Sequence, residues 1–315
     1  MSRFLAALAV VLSLFAATAA AITAQETPAA TGGQLSELGY PEVVITATES
    51  GFEVPDEVAA GTVLLTLDNT APFPNGFSLI QLPEGVTLES LMPPADASPS
   101  AEEGAEQGLP PALYDAIWAG GIFAGPGSTA QAVVTLTPGE WLVLTQELSG
   151  MPPVLNVTGE AGEAPAAPEG AVNIELADYQ VVLPEVMPTG PQLWNVTNTG
   201  TEPHEVFIMK TPERLTLEQA QALATMAPDA EPDPNLPNVE EFIEVGGVAP
   251  ISNGQSTMLE MNLEPGHYIA VCFIPAMESG EPHAAKGMVT IFSVGADGEE
   301  VEAPASPESD GHASH

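Results

Sequence analysis

The chain has 315 residues, enough for two domains, and its charge is strongly one-sided: 43 acidic residues against 4 basic ones give a formal net charge of −39. A surface of this sign repels phosphate groups, so the composition excludes nucleic acid as a partner. The charge suits a basic redox partner or a cation, and it also suits solubility in a salty or acidic exterior.

The first predicted element is a signal peptide at residues 1–24. Arg3 precedes an apolar run from Phe4 to Phe15, and small residues follow through Ala24. The run is too short to span a bilayer, and the small residues suit signal peptidase. No later apolar stretch is long enough to span a membrane. We therefore expect a mature protein outside the cytoplasm, periplasmic or secreted, with no transmembrane segment.

The mature chain contains one sequence pattern twice. Residues 43–89 align with residues 172–218 without a gap, at a constant offset of 129 residues. Further along, LTPGEWLVLT at 136–145 aligns with LEPGHYIAVC at 263–272. A duplication explains this agreement. We predict a disordered linker, a first domain, a second linker, a second domain and a disordered acidic tail, at residues 25–38, 39–158, 159–171, 172–294 and 295–315 respectively.

The pattern within each repeat favours β-strands. Short apolar runs such as TVLLTLDN and HYIAVCF are separated by Pro-Gly, Asn-Gly and Asn-Thr turns. Thr216 and Gln219 form a capping-box pattern before an apolar stripe, which predicts a helix, and we expect one helix in each repeat. Polar insertions lie at 95–108 and 227–238. The predicted fold is all-β: two tandem Greek-key β-sandwiches.

One segment of the second repeat concentrates metal-binding side chains. Cys272 is the only cysteine of the chain, and His283 and Met288 follow it. A lone cysteine in an exported protein is an inert buried residue, an intermolecular partner or a metal-bound thiolate. Cys272 ends the predicted strand YIAVC. In HEVFIMK, strand alternation places His204 on the apolar face, so we expect it to point inward.

Together these side chains meet a physical requirement of copper. An ion that exchanges one electron quickly should change shape little between Cu(I), which prefers sulfur, and Cu(II), which prefers imidazole. A trigonal set of two histidines and a cysteine, with a weak axial methionine, satisfies both states. We predict one type 1 copper ion held by His204, Cys272, His283 and Met288.

The second repeat resembles the cupredoxins, the blue copper domains of the plastocyanin, azurin and nitrite reductase kind. His204 resembles the upstream ligand, and Cys272, His283 and Met288 resemble the loop ligands, with the four residues between His and Met that many members have. The resemblance implies a cupredoxin fold and electron transfer. Two features depart from it. Ten residues separate Cys272 from His283, closer to the nitrite reductase pattern, and Glu205 stands where many members have a loop-bracing Asn.

The first repeat provides an internal comparison. The three positions aligned with the two histidines and the cysteine hold Asn75, Thr145 and Pro153, so all three metal-binding types are absent together. Taken singly, each predicted ligand has an ordinary structural alternative, such as a buried free cysteine or a core methionine. Their joint order and spacing favours a metal site.

Other histidines and methionines of the chain are poorer ligand candidates. His267 and Met209 have the wrong strand parity, and Met277 lies in the middle of a loop. His312 and His315 belong to the acidic tail.

Catalysis is not predicted. Val271 and Phe273 flank Cys272, and neither repeat contains a His-x-His pair of the kind that holds a second type of copper. No phosphate-binding loop or activated-nucleophile motif occurs. The leading hypothesis is an electron carrier with a redox partner. The alternatives are a metal-free cupredoxin-like module that binds a partner or stabilises an exported assembly, and a protein for copper delivery or sequestration.

Overall fold

The structure is a computed structural model that describes residues 33–91, 109–145, 151–162, 164, 166–226 and 233–295. The predicted signal peptide, the first polar insertion, His312 and His315 lie outside the described residues. Among the helices of the described ranges, none is long and apolar enough to cross a membrane.

The first domain is formed by strands β1 to β9 and two one-turn helices. Its strands are β1 Glu42–Thr48, β2 Gly51–Glu53, β3 Glu57–Ala59, β4 Gly61–Asn69, β5 Asn75–Gln81, β6 Ile117–Ala124, β7 Thr129–Leu136, β8 Gly139–Thr145 and β9 Val154–Thr158. Its helices are α1 Leu88–Leu91 and α2 Pro111–Tyr114.

The second domain repeats this strand order without a counterpart of β3, and it has one helix. Its strands are β10 Val172–Ala177, β11 Gln180–Val182, β12 Gly190–Asn198, β13 His204–Thr211, β14 Ile243–Ile251, β15 Ser256–Leu263, β16 Gly266–Val271 and β17 Val289–Val294. Its helix, α3 Leu217–Ala224, begins at the predicted capping box, in which Thr216 and Gln219 each accept a backbone N–H from the other. Short 3-10 turns lie at Ser36–Leu38, Val239–Glu241 and His283–Lys286.

The strands of the two repeats begin at aligned positions. Strands β4 and β12 start at Gly61 and Gly190, and β5 and β13 start at Asn75 and His204. The all-β sandwich prediction is confirmed, and the common frame agrees with a duplication.

The two domains share both of their sheets. One sheet has the order β11-β10-β12-β15-β7-β4-β1-β2, and the other has the order β17-β16-β13-β14-β6-β5-β8-β9-β3. Strand β15 pairs with β7, and β14 meets β6 at Ile251 and Ala119. The tandem sandwiches are therefore joined edge to edge, which covers strand edges that would be open in separate domains.

The segment before the first domain differs from the prediction at its C-terminal end. Residues 25–38 were expected to form a disordered linker, but the described residues 33–38 contact the body of the protein. Leu35 is 1% exposed and packs with Val133 of the first domain and Met258 of the second. The backbone N–H of Leu35 also donates to the Glu260 carboxylate at 2.8 Å. The burial of this apolar side chain at the seam between the domains stabilises the segment in a fixed position.

A glycine fixes the approach of β14 to β13. A Cβ at Gly247 would collide with the carbonyl oxygen of Val206, and Gly121 approaches Phe77 in the same way in the first domain. Only glycine permits this approach. Gly247 therefore sets how closely β14 approaches β13, the strand that begins with His204.

Side chains of the first domain form part of the buried core of the second domain. Leu113, Tyr114 and Trp118 belong to the same buried cluster as Cys272 and Met288. The indole N–H of Trp118 donates to the Leu113 carbonyl at 2.8 Å, so its polar atom is satisfied inside this core. Side chains of both repeats thus belong to the core that contains Cys272 and Met288.

Candidate metal centre

Three predicted ligands come together in the second domain. The donor atoms of His204, Cys272 and His283 all lie within 4.8 Å of one another. The two Nδ1 atoms are 3.0 Å apart, and the Cys272 Sγ lies 3.5 Å from the His283 Nδ1. All three side chains are fully buried, with 0% exposure. Among the described residues, no other cluster of this kind brings three such donors together.

Strand geometry delivers the first two donors. His204 is the first residue of β13 and follows Pro203, and it is buried as predicted from the strand alternation. Cys272 comes directly after β16. Ala270 and Cys272 share one core cluster while Ile269 and Val271 belong to another, which confirms the predicted faces of this strand.

The loop between Cys272 and His283 is held by its own backbone. The N–H of His283 donates to the Ile274 carbonyl at 2.8 Å, and the N–H of Ala284 donates to the Cys272 carbonyl at 2.9 Å. Pro275 and Pro282 form an isolated β-bridge. These bonds fold the ten-residue excursion back on itself, so its length does not carry His283 away from Cys272.

Met288 lies beside the cluster and is fully buried. Its carbonyl accepts the N–H of Cys272 at 3.1 Å, and its N–H donates to the His283 carbonyl at 3.0 Å. It shares the core cluster of Cys272. The backbone therefore places Met288 against both loop donors, while its role as axial ligand stays a prediction.

Burial keeps the two histidines neutral. Burial, and then the neighbouring His204, lowers the pKa of His283 to about 4. Burial also lowers the pKa of His204, against the opposing effect of Asp178. At neutral pH both imidazoles therefore carry a lone pair that a cation can accept.

Burial has the opposite effect on the pKa of the Cys272 thiol. Burial raises its pKa well above the usual value, and the charge of Glu205 adds to the rise, while the backbone N–H groups of Glu205 and Ile274 oppose it by donating to the sulfur. Without a cation the residue is therefore a neutral thiol. A bound metal ion would deprotonate it, as metal ions do with coordinating thiols.

The outer nitrogen of each histidine contacts a carboxylate. The His204 Nε2 lies 3.2 Å from the Asp178 Oδ1, and the His283 Nε2 lies 3.2 Å from the Glu202 Oε2. Neither acid is among the residues predicted from the sequence. A signal was available in the repeat alignment for one of them, because the position aligned with Glu202 holds Phe73 in the repeat that lacks the ligands.

Glu205 occupies the position where many cupredoxins have Asn, and it contacts the same loop. Its Oε1 accepts the N–H of Phe273, the residue after Cys272, at 3.2 Å, whereas its Oε2 is buried without a partner among the described residues. Burial raises its pKa to about 8. Glu205 therefore differs from Asn in residue type, but its side chain still forms a hydrogen bond to the ligand loop.

The donor set fits one type 1 copper ion. Donors bonded to a single ion at about 2.0–2.3 Å are separated by roughly 3–4 Å. Two of the three donor separations, 3.0 and 3.5 Å, agree with that range, and the third pair, His204 and Cys272, lies within 4.8 Å. Two neutral imidazoles and one thiol, all buried, form the His2Cys set that type 1 copper uses.

No protein family model matches the chain, and no curated protein matches it. Among solved structures, a reduced auracyanin from the photosynthetic bacterium Roseiflexus castenholzii is 22% identical, covering 41% of this chain and 100% of that chain, with a TM-score of 0.28. A copper-containing nitrite reductase from Thermus scotoductus is 13% identical, covering 85% of this chain and 63% of that chain, with a TM-score of 0.23. A multi-copper oxidase from Pediococcus acidilactici is 13% identical, with the same 85% and 63% coverage and a TM-score of 0.22.

The strand topology and the donor geometry define the fold and the candidate site. The chain is a pair of fused β-sandwiches that share both of their sheets. Its second domain brings together two imidazoles and one thiol, the donor types that a type 1 copper ion uses.

Proposed function

We propose that the protein carries single electrons through one type 1 copper ion held by His204, Cys272, His283 and an axial Met288. The observation that supports this most directly is the buried meeting of two imidazole Nδ1 atoms and one cysteine sulfur. The bound ion would supply the Cu(II)/Cu(I) couple.

The protein's own residues supply rigidity and exclude water. His204 is fixed by β13, and Cys272 and His283 are each tied to Met288 by a backbone hydrogen bond. All four side chains have 0% exposure, so solvent has no access from which to add a ligand. A site that holds its shape in both oxidation states exchanges electrons with little rearrangement, because the donors cannot move far.

We propose a carrier and not an enzyme. The residues next to Cys272 are Val271 and Phe273, which offer no ligand for a second copper ion beside the first. The burial of the donors also favours electron transfer over copper delivery, because handing an ion to another protein requires that protein's ligands to reach it.

We propose a redox partner with a basic docking surface and a location outside the cytoplasm. The net charge of −39 supports electrostatic attraction of such a partner. Close to the site, Glu278 and Glu281 lie exposed on the ligand loop beside Met277, which is 50% exposed. The signal-peptide pattern at residues 1–24 supports this location.

The function is tested by rapid mixing of the copper-loaded protein with inorganic one-electron reagents. We expect one electron per protein to be taken up and returned reversibly, with no sustained consumption of oxygen or nitrite. Reduction by a cationic complex should slow as salt is added, and reduction by an anionic complex should speed up. Sustained turnover of oxygen or nitrite would contradict the carrier proposal. Equal salt responses for both complexes would contradict the docking proposal.

A further inference from the structure

The outer nitrogen of each imidazole of the candidate site contacts a carboxylate. The outer nitrogens have no access to water, since His204 and His283 are fully buried. Each instead lies 3.2 Å from one carboxylate oxygen, from Asp178 and from Glu202. The Asp178 side chain is 39% exposed and the Glu202 side chain 13%. The carboxylates therefore stand between the imidazoles and the solvent.

The first carboxylate is held in place by other groups. The Asp178 Oδ1 accepts the N–H of Thr201 at 2.7 Å, and its Oδ2 accepts the Thr201 hydroxyl at 3.0 Å. Gly200 leaves the necessary space, because a Cβ there would collide with both the His204 Nε2 and the Asp178 Oδ1. The local backbone is thus shaped around the contact between Asp178 and His204.

The second carboxylate is held from two sides. The Glu202 Oε2 accepts the N–H of Met277 at 2.8 Å, and its Oε1 accepts the Tyr179 hydroxyl at 3.3 Å. Met277 belongs to the ligand loop. Glu202 therefore connects that loop, through one carboxylate, to His283.

A strained turn organises both contacts. Asp178 and Tyr179 form the two-residue connection between β10 and β11, where Ala177 pairs with Gln180. Tyr179 has a φ of 60°, which no other described non-glycine residue shares in sign. Such a conformation costs free energy and persists where the surroundings require it. Here it places the Tyr179 ring edge-on to His283 at 5.2 Å, next to the carboxylate that contacts His204.

The repeat alignment associates most of this arrangement with the ligands. The positions aligned with Tyr179 and Glu202 hold Ser50 and Phe73 in the first domain, although the position of Asp178 keeps an acid, Glu49. Ser50 and Phe73 cannot make the contacts that Tyr179 and Glu202 make. The Glu202 contact is therefore confined to the domain that has the histidines.

We infer that Asp178 and Glu202 are positioning residues of the copper centre, which hold both histidines in the tautomer that directs Nδ1 at the ion and shift the Cu(II)/Cu(I) couple toward Cu(II). This inference rests on the proposed function. An N–H donated to a carboxylate raises the basicity of the opposite ring nitrogen. A more basic imidazole favours Cu(II), the state that prefers nitrogen ligands, over Cu(I). The midpoint potential is therefore lower than it would be with uncharged acceptors.

The test uses the full mature chain and three variants. Glu202→Gln and Asp178→Asn keep the shape of the side chain and remove its charge. Glu175→Gln is the matched control. Glu175 lies on β10, the strand that leads into the Asp178 turn, and the substitution also removes one carboxylate charge. The Glu175 carboxylate, however, contacts Thr199 and not a histidine. Any general effect of net charge should be common to all three variants.

The first measurement needs no copper. In the metal-free protein, nuclear magnetic resonance should detect slowly exchanging Nε2–H protons on His204 and His283. Glu202→Gln should speed the exchange of the His283 proton, and Asp178→Asn that of the His204 proton, each by tenfold or more, while Glu175→Gln leaves both unchanged. Protons on Nδ1 in the wild-type protein, or equal exchange in all variants, would overturn the positioning role.

The second measurement is the midpoint potential of each copper-loaded variant. Loss of an outer partner of a metal-bound histidine lowers metal affinity by about 10-fold to 100-fold. If Cu(II) affinity falls tenfold relative to Cu(I), the potential rises by about 59 mV. We expect such a rise for Glu202→Gln and Asp178→Asn, and a much smaller one for the control. Equal shifts in all three would overturn the inference while leaving the copper site intact. A wild-type protein that binds no copper would instead contradict the proposed function, and the metal-free measurement would still decide the tautomers.

Discussion

Tyr114 of the first domain holds the ligand loop of the second. Its hydroxyl donates to the Pro275 carbonyl at 2.7 Å and accepts the N–H of Leu109 at 3.3 Å. The side chain is 8% exposed, and burial raises its pKa to about 12, so the phenol remains a donor throughout the usable pH range. Pro275 lies three residues after Cys272. Tyr114→Phe removes this link and little else.

The expected cost follows from the groups left behind. The substitution leaves a buried carbonyl and a buried N–H without their partner, and one unsatisfied buried group costs about 1–3 kcal/mol. Because the backbone at Leu109 can relax partly, we expect the substitution to lower the free energy of unfolding by about 2 kcal/mol in total. We also expect faster hydrogen exchange at loop residues 274–282, because their bond to the first domain is gone.

The assay is denaturant unfolding of the metal-free protein together with hydrogen exchange of the loop. Tyr268→Phe is the control, because Tyr268 is also buried and its hydroxyl donates to a single carbonyl, that of Glu264, at 2.6 Å. It should lower stability without a selective effect on residues 274–282. If Tyr114→Phe changes the unfolding free energy by less than about 0.5 kcal/mol and leaves loop exchange unchanged, then the first domain does not brace the site.

Three further substitutions test the fold around the site. Burial raises the pKa of the Glu244 carboxyl to about 7. The stability that the protonated carboxyl contributes to the folded protein is therefore fully present below about pH 4.5 and is lost as the pH rises through 7. Glu244→Gln should match the wild type at pH 4 and be more stable by about 1–2 kcal/mol at pH 8 in denaturant unfolding, and equal stability at both pH values would refute this. Gly247→Ala should destabilise the fold by about 1–3 kcal/mol and lower the melting temperature, because the new Cβ would collide with the Val206 carbonyl. An unchanged melting temperature would show that β13 can move to make room for the Cβ. Thr216→Ala should cost about 1 kcal/mol by removing the cap of α3, with no change in copper binding as the internal control.

Local patterns were sufficient to predict most of the framework. Alternation in HEVFIMK and YIAVC predicted the buried faces that carry His204 and Cys272, and the structure has them there. The capping box at Thr216 predicted the start of α3, because the two side chains that satisfy the first N–H groups are only three residues apart. These features depend on neighbours in the sequence.

The remaining features depend on contacts between distant segments. The joining of β7 to β15 pairs strands from different repeats, and nothing in either strand alone specifies that partner. Tyr114 meets Pro275 across 161 positions. Asp178 is an ordinary turn acid until folding places it 3.2 Å from an imidazole. Acidic residues are so frequent in this chain, with 43 Asp and Glu, that composition could not single out these two.

The most direct test of the copper site is a Cu(II) titration of the purified mature protein, followed by optical absorption and electron paramagnetic resonance, beside the variant Cys272→Ser. We expect an intense thiolate-to-copper charge-transfer band that saturates at one equivalent in the wild type and is absent in the variant, because the band requires the Cys272 sulfur on the ion. A wild-type protein that stays colourless, or a band that survives in Cys272→Ser, would contradict the assignment of His204, Cys272 and His283 as a type 1 site.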